Sequence, residues 1–313
     1  MARRQRSSGC NRRAAALWSA ALVGAGCGRG VSPNPWPMSD AGDASDAAPD
    51  DQPCPLNHAF GIPIKVPGLN GPSTTSVLSV RFTSDERIAY LSQLHGIQVD
   101  IYLANRARPA DPLGPASPVD ELNTNSDDEY PTFTDDTFTI YFASTRSGGS
   151  SLFVSSRTAT VYKFSDPVQL GGDLLVDSEG APYVLPDGSA LYFHTHRSGN
   201  YDIYRAQKNA TGFDPAQPLM LNTDADETAP VVSHDELTIY FSRRGDPTGH
   251  DGIWMATRDS VANQFGMPVP LDLTAPSFSN ATPTWISPDA CRLYLQEQDS
   301  STAYWAFVAE RTP

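Results

Sequence analysis

Residues Ser178–Lys208, with the sequence SEGAPYVLPDGSALYFHTHRSGNYDIYRAQK, form the stretch that decides the fold. Apolar and aromatic residues at Pro182–Leu185, Ala190–Thr195 and Tyr201–Ala206 predict three short β-strands. Pro186-Asp187-Gly188 separates the first two strands with turn chemistry, because Pro fixes φ and Gly tolerates a positive φ. The stretch therefore predicts a small antiparallel sheet.

The sequence contains five repeats of this unit. The first turn of each unit holds an Asp, a Tyr follows five residues later, and a basic residue ends the third strand. The aspartates are Asp85, Asp136, Asp187, Asp235 and Asp289; the tyrosines are Tyr90, Tyr141, Tyr192, Tyr240 and Tyr294; the basic residues are Arg106, Arg157, Lys208, Arg258 and Arg311. Each unit is also preceded by an apolar residue that opens a fourth strand: Phe60, Leu113, Phe164, Phe213 and Phe265. A period near 50 residues predicts an array or a propeller.

The two ends of the repeat region predict a closed ring. Four short antiparallel strands cannot cover both faces of their own sheet, whereas radial repetition buries each sheet against the next. Ile62–Val66 has the character of a fourth strand without three strands before it, and Thr282–Arg311 lacks a fourth strand. The sequence therefore predicts an all-β, five-bladed β-propeller of four-stranded antiparallel blades, closed by the N-terminal strand. Six blades are the alternative, if one irregular unit escapes recognition.

Three segments resemble a known family. Pro186–Phe193, Ser287-Pro288-Asp289 and Asp202-Ile203-Tyr204 resemble the WD40-like β-propeller repeat family, which is typified by the propeller of the periplasmic protein TolB. The resemblance covers about residues 60–313 and implies the propeller fold. It implies no single function, since such propellers serve as scaffolds, receptors and accessory domains of enzymes.

Residues 1–27 predict an export signal. Five arginines precede the small, apolar segment Ala14–Ala25, which is about as long as the hydrophobic region of a signal peptide. Ala25-Gly26-Cys27 resembles the end of a bacterial lipoprotein signal, which implies that Cys27 is lipidated. Ordinary secretion and a cytoplasmic chain with an Ala-rich start are the alternatives. We expect an exported protein, either a periplasmic or an outer-membrane lipoprotein.

Composition divides the rest of the chain. Residues 28–57 are rich in Asp, Ala and Pro and predict a disordered tether, and residues 58–313 predict the propeller. The chain carries a net charge of −14, and loss of the five arginines in residues 1–26 would leave −19. Such an acidic surface repels nucleic acid. We expect a monomer that contacts the membrane only through its lipid anchor.

Acidic and basic residues recur together in the three middle units. A Glu precedes the first strand and an Arg follows the second strand in each of these units. The resulting predicted ion pairs are Glu129 with Arg146, Glu179 with Arg197, and Glu227 with Arg244. We interpret these pairs as structural salt bridges, with a ligand-binding ring of carboxylates as the alternative.

Two acidic loops between units are weak candidates for calcium binding, because Ca²⁺ prefers oxygen ligands. The candidate ligands are Asp127, Asp128, Glu129, Asp226 and Glu227. The loops lack EF-hand spacing, and solvated loops are the alternative. No other cofactor is predicted.

The cysteines outside the signal form one pair. Cys54 lies just before the closing strand, and Cys291 begins the second strand of the blade that this strand would complete. An oxidising compartment favours a disulfide between such cysteines. Two free thiols are the alternative.

Catalytic signatures are absent from the sequence, which lacks a Gly-x-Ser-x-Gly elbow, a phosphate loop and a dinucleotide fingerprint. The first functional hypothesis is a non-catalytic propeller that binds protein or glycan partners in the cell envelope. The second is a glycan-processing enzyme with two carboxylates in a central funnel. Carboxylates that converge in the funnel would distinguish the enzyme from the binding module.

Overall fold

A computed structural model describes residues 54–69, 76–174, 176–273, 278, 280–298 and 303–311. The predicted signal, Cys27 and residues 28–53 of the predicted tether lie outside these residues. In the part that the structure describes, no helix is long and apolar enough to cross a membrane.

The described residues form five antiparallel sheets, numbered blades 1 to 5 in chain order, that pack against one another in a ring. The innermost strands are β2 (Ser76–Phe82), β6 (Asp128–Phe133), β10 (Gly180–Val184), β15 (Asp226–Val232) and β19 (Thr282–Ile286). The second strands are β3 (Ile88–His95), β7 (Thr139–Ser144), β11 (Ala190–Thr195), β16 (Thr238–Arg244) and β20 (Arg292–Gln298). This architecture confirms the predicted five-bladed β-propeller.

The outer strands complete each blade. The third strands are β4 (Gln98–Asn105), β8 (Ser151–Ser156), β12 (Asp202–Asn209), β17 (Gly252–Thr257) and β21 (Tyr304–Glu310). The outermost strands are β5 (Ser117–Pro118), β9 (Val168–Gln169), β14 (Gln217–Pro218), β18 (Val269–Pro270) and β1 (Ile64–Lys65). Blade 3 adds the short β13 (Gly212–Phe213), and a 3-10 turn at Gly172–Leu174 precedes this blade.

The N-terminal strand closes the ring, as predicted. Strand β1 pairs antiparallel with β21, with Ile64 opposite Val308. A disulfide joins Cys54 to Cys291, whose Cα atoms are 5.1 Å apart. The Cys54 N–H also donates a hydrogen bond of 2.8 Å to the carbonyl of Asp289. Blade 5 therefore combines an outermost strand from the start of the propeller sequence with three strands from its end.

The repeated aspartates shape the turn between the first two strands. In each blade the Asp Oδ1 accepts a hydrogen bond from the N–H two residues later, for example from Ser189 to Asp187 at 2.9 Å. The residue after each Asp takes a positive φ: Glu86, Thr137, Gly188, Glu236 and Ala290. Asp side chains stabilise such turns by bonding a nearby N–H, which explains why this residue recurs in every unit.

The repeated tyrosines and basic residues meet between neighbouring blades. Lys208 Nζ lies 2.9 Å from the Tyr141 hydroxyl, and Arg258 Nη2 lies 3.5 Å from that of Tyr192. Arg106 of blade 1 and the Tyr294 hydroxyl of blade 5 both donate hydrogen bonds to Glu86 Oε2, at 3.3 and 2.8 Å. The remaining pairs are Tyr240 with Arg311 and Tyr90 with Arg157. Each Tyr thus contacts the basic residue of the next blade, and the five contacts form a complete circle.

The aromatic residues that open the outer strands take part in the same contact. The cationic groups of Arg157, Lys208, Arg258 and Arg311 lie 4.1 to 5.1 Å from the ring centroids of Phe164, Phe213, Phe265 and Phe60, respectively. Blade 1 has Leu113 at this position, and Arg106 lies over Phe82 instead, at 4.9 Å. Cation–π attraction and a charged hydrogen bond therefore act together at the three junctions that hold Tyr141, Tyr192 and Tyr240.

Candidate functional site

A polar cavity of about 480 Å³ lies where four blades converge, and we call it the funnel. Its walls include Tyr130, His194, Ala229, Arg244, Glu297 and Tyr304. These residues belong to blades 2, 3, 4 and 5, at the ends where innermost strands begin and second strands finish. The funnel is therefore one mouth of the central channel, and its volume is typical of small-molecule sites.

β-Bulges in the innermost strands shape the rim of the funnel. Tyr130, Ala181 and Ala229 each take a positive φ of 53°, 41° and 50°, and the strand register shifts at each of these residues. The N–H of Tyr130 donates to Ser92 Oγ at 2.6 Å, and that of Ala229 donates to His194 Nδ1 at 3.3 Å. Each acceptor belongs to the preceding blade, so the bulges link neighbouring blades at the rim.

His194 occupies space that Gly180 leaves open. A Cβ atom at residue 180 would lie 2.4 Å from His194 Nε2, so no larger residue fits there without a shift of the ring. Burial lowers the pKa of His194 to about 4, and the imidazole is neutral at pH 7. Because Nδ1 accepts the Ala229 N–H, the neutral ring carries its proton on Nε2. His194 therefore lines the funnel as a neutral ring whose Nε2 packs against Gly180.

Arg244 brings positive charge to the funnel. Its guanidinium donates hydrogen bonds to the side chain and the carbonyl of Asn280, at 3.1 and 2.6 Å. Among the described residues, no carboxylate forms an ion pair with Arg244 within 4.0 Å. The predicted pair of Glu227 with Arg244 is therefore wrong, and Arg244 is free to act on a ligand.

Glu297 and Gln296 bring hydrogen-bond acceptors to the same cavity. Both residues are 8% exposed, and both line the funnel. Glu297 Oε2 and Gln296 Oε1 are buried and have no hydrogen-bond partner in the described part of the chain. Burial raises the pKa of Glu297 to about 7, against the opposing effect of the Arg244 charge. Unmatched buried acceptors are costly and indicate a missing donor.

Glu129 lies beside the funnel, directly before Tyr130. Burial, together with the negative charges of Asp127 and Asp128, raises the pKa of Glu129 to about 7. Burial and the charge of Glu129 raise the pKa of the Tyr130 hydroxyl, against the opposing effect of the Arg244 charge. Two carboxyl groups of this region thus change charge near neutral pH.

The predicted ion pairs are correct in general position and wrong by one residue in two blades. Arg146 pairs with Asp128 at 2.5 Å and not with Glu129. Glu227 pairs with Arg243 at 2.8 Å and not with Arg244. The side chains of successive strand residues point to opposite faces, so a shift of one residue changes the partner completely.

The third predicted pair, Glu179 with Arg197, is present in the structure. Arg197 Nη2 lies 3.6 Å from Glu179 Oε1. The structural equivalents of Glu179 are Asp128 and Glu227, since each precedes its positive-φ bulge residue by two positions. The bulge therefore supplies the alignment that the sequence alone leaves ambiguous.

The calcium candidates are mostly engaged by the protein itself. Asp127 accepts the Val99 N–H at 3.0 Å, and Asp226 accepts the Tyr201 N–H at 2.9 Å. Asp128 and Glu227 accept hydrogen bonds from Thr124 and Thr223 in addition to their arginines. Glu129 is the fifth candidate and lies at the funnel rim. In the described ranges, no group of three or more His, Cys, Asp or Glu side chains is arranged to hold a metal ion.

Sequence analysis missed Gln296, Glu297 and Tyr304 because they depart from the repeat. The positions equivalent to Gln296 and Glu297 hold Ser92-Gln93 in blade 1 and Ala143-Ser144 in blade 2. Their signal was the run Gln296-Glu297-Gln298, which places a carboxyl between two amides, a combination that none of the other four units has at these positions. A break in a repeat marks a functional position better than a repeated residue does.

No family model matches the sequence, and a search of curated proteins finds no match. Solved structures with a similar fold include TolB from Acinetobacter baumannii, at 15% identity and a TM-score of 0.44. The alignment covers 75% of this chain and 54% of TolB, so the chain spans about half the length of that protein.

Glycoside hydrolases are also among the structural neighbours. A protein described as a glycoside hydrolase from Parabacteroides distasonis has a TM-score of 0.54 at 11% identity, over 82% of this chain and 97% of the neighbour. A family-62 hydrolase in complex with xylotriose has a TM-score of 0.50 at 10% identity, over 81% and 97% of the two chains. At these identities the likeness shows the propeller fold alone.

Proposed function

We propose that this protein is an exported, non-catalytic binding propeller that holds a glycan in the funnel. The observation that carries the proposal is the pair of buried acceptors Gln296 Oε1 and Glu297 Oε2, which have no partner among the described residues. A ligand that donates hydrogen bonds would remove the cost of burying these atoms. Sugar hydroxyl groups donate and accept, and so can bond these acceptors and the donors of Arg244 together.

A glycan fits the funnel better than a protein surface does. The site is a concave cavity of about 480 Å³ whose lining includes two tyrosines, Tyr130 and Tyr304. Protein partners commonly bind over wide, flatter surfaces, whereas small ligands occupy cavities of this size. Aromatic rings with polar tips offer apolar faces and hydrogen bonds to the same ligand.

The proposed location comes from the N-terminal sequence. Export through residues 1–27 and lipidation of Cys27 would attach the chain to a membrane of the cell envelope. Residues 28–57 would then act as a tether that lets the propeller reach ligands away from the membrane surface. The acidic surface keeps such a domain soluble and away from anionic lipids.

A glycoside hydrolase is the second candidate, because burial raises the pKa values of Glu129 and Glu297 to about 7. A carboxyl group with such a pKa is suited to act as a general acid. Glycoside hydrolysis usually needs two carboxyl groups that face each other across the scissile bond. Glu297 is the only carboxylate that lines the funnel within the described ranges, and this favours binding over catalysis.

The proposal is tested with the purified exported protein on an array of neutral, amino and acidic oligosaccharides that includes xylotriose. We expect at least one oligosaccharide to bind, and Glu297→Ala to weaken that binding about tenfold, since a buried hydrogen bond is lost. Glu310→Ala, at an exposed position at the end of β21, serves as the matched control. Absence of any bound oligosaccharide, or equal binding by the Glu297→Ala variant, would contradict the proposal.

A second measurement separates binding from catalysis. Each bound oligosaccharide is incubated with the protein, and new reducing ends are measured over time. The binding proposal expects no release above the buffer rate. Release that disappears in both Glu129→Gln and Glu297→Gln would establish the hydrolase instead.

A further inference from the structure

Arg81 closes the central channel at the end opposite the funnel. This residue lies on the innermost strand of blade 1 and is 4% exposed. Its Nη2 donates to the carbonyl of Pro182 at 3.1 Å, and its Nη1 lies 3.5 Å from Thr132 Oγ1. The guanidinium also lies 4.2 Å from the ring centroid of Tyr183. Arg81 therefore reaches across the channel to the innermost strands of blades 2 and 3.

The positive charge of Arg81 is buried without a counter-charge. Within the described residues no carboxylate pairs with the guanidinium within 4.0 Å, and Nε–H has no acceptor. Burial lowers the pKa of Arg81 to about 10, so the side chain is still charged at pH 7. A buried charge that lacks both a partner and a full set of hydrogen bonds is strongly destabilising.

A small cavity adjoins this charge. It has a volume of about 30 Å³, and its walls include Arg81, Thr132, Tyr183 and Trp285. A volume of about 10 to 15 Å³ is enough for one water molecule. The cavity therefore has room for a single monoatomic ion or for two to three waters.

The acidic residue at the mouth of the cavity is already paired. Asp135 Oδ2 lies 3.3 Å from His234 Nε2, and a hydrogen bond to Asp135 raises the pKa of His234. Asp187 and Asp235 add to this effect on His234. The negative charge of Asp135 is thus shared with His234 and does not compensate Arg81.

We propose that this cavity is a binding site for a monovalent, monoatomic anion of the size of chloride, attracted by the unpaired charge of Arg81. The anion neutralises the buried guanidinium. It also seals the channel, so that a ligand in the funnel meets a closed floor. This site is separate from the funnel and does not depend on the proposed glycan.

The first test measures the melting temperature in sodium chloride, sodium bromide and sodium gluconate at equal ionic strength. We expect the halides to raise the melting temperature by about 2 °C or more over gluconate, because an anion that binds only the folded state stabilises it. Arg81→Met should remove the difference. Arg108→Met, at an exposed surface arginine, should retain it. Equal melting temperatures of the wild-type protein in all three salts would overturn the proposal.

The second test does not depend on the folding of a variant. Wild-type crystals grown in bromide should show an anomalous scattering peak in this cavity, beside Arg81. A map with no anomalous peak in this cavity would show that water alone fills it, and would overturn the proposal even if the Arg81→Met variant fails to fold.

Discussion

Arg311 Nη2 donates a hydrogen bond of 2.8 Å to the hydroxyl of Tyr240, and this bond joins the residue that follows β21 in blade 5 to the second strand of blade 4. Both side chains are buried, and Tyr240 also packs edge-on against Phe60, with ring centroids 6.2 Å apart. Phe60 itself bridges to Arg311 beside the closing strand. One junction thus holds two blades and the N-terminal segment together.

Loss of a single hydroxyl group at this junction should weaken the whole fold. Tyr240→Phe keeps the ring and leaves the Arg311 guanidinium without one acceptor. We expect the free energy of unfolding in urea to fall by about 1 to 3 kcal/mol, the cost of an unsatisfied buried donor. A loss below about 0.5 kcal/mol would show that the junction is held by apolar packing alone.

The disulfide should contribute substantially to stability, because it joins residues separated by 237 positions. Reduction of Cys54–Cys291 is expected to cost about 2 to 5 kcal/mol, since it restores freedom to the unfolded chain. The measurement is the melting temperature with and without reductant. The variant with both cysteines changed to Ser should melt at the lower temperature in both conditions. Free thiols in mass mapping of the exported, non-reduced protein would contradict the disulfide.

Arg243 and Arg244 are adjacent, and the structure gives them different roles. Arg243→Met leaves the buried Glu227 carboxylate without its partner, so we expect a loss of about 3 to 5 kcal/mol in the free energy of unfolding. Arg244→Met removes hydrogen bonds to Asn280 and a long one to Thr282, and should cost about 1 kcal/mol or less. Urea unfolding of both variants shows whether Glu227 pairs with Arg243 or with Arg244. A larger loss in Arg244→Met than in Arg243→Met would support the pairing expected from the sequence.

Glu297 should make stability depend on pH. Burial raises its pKa from 4.5 to about 7, so the folded state binds this proton more tightly than the unfolded state. The stabilisation that protonated Glu297 gives to the folded state is complete below pH 4.5 and disappears as the pH rises through 7. Replacing this group should therefore reduce the loss of stability between pH 5 and pH 8 by about 1 to 3 kcal/mol. Urea midpoints of Glu297→Gln and of the control Glu310→Gln measure the effect, and identical pH profiles would refute it.

Lipidation of Cys27 is tested by metabolic labelling with a radioactive fatty acid. We expect the wild-type protein to carry the label and the Cys27→Ala variant to lack it, because a thioether-linked lipid requires the thiol. An immunoblot of both proteins controls for expression. Label in both proteins, or in neither, would contradict the lipid anchor.

The features that repeat were predictable, and the features that occur once were not. Five Asp turns and five aromatic strands indicated five blades, and the unpaired strand near Ile64 indicated how the ring closes. The funnel escaped prediction because its walls come from four blades and its most informative residue, Glu297, lies where the repeat is broken. Arg81 also escaped prediction, since its position in an apolar strand gives no sign that it crosses the channel.

The amino-acid sequence by itself determined the blade, because turn residues, alternating apolar residues and strand length act over a few neighbouring positions. It also determined that a Tyr and a basic residue recur, without showing that each Tyr binds the basic residue of the following blade. Only the tertiary structure decided these partners, since they are 65 or more residues apart in sequence and meet only when the ring closes. The bulge at each innermost strand decided which of two adjacent charged side chains faces its partner. A shift of one residue reverses the face of a strand, and no local pattern in the sequence records where that shift occurs.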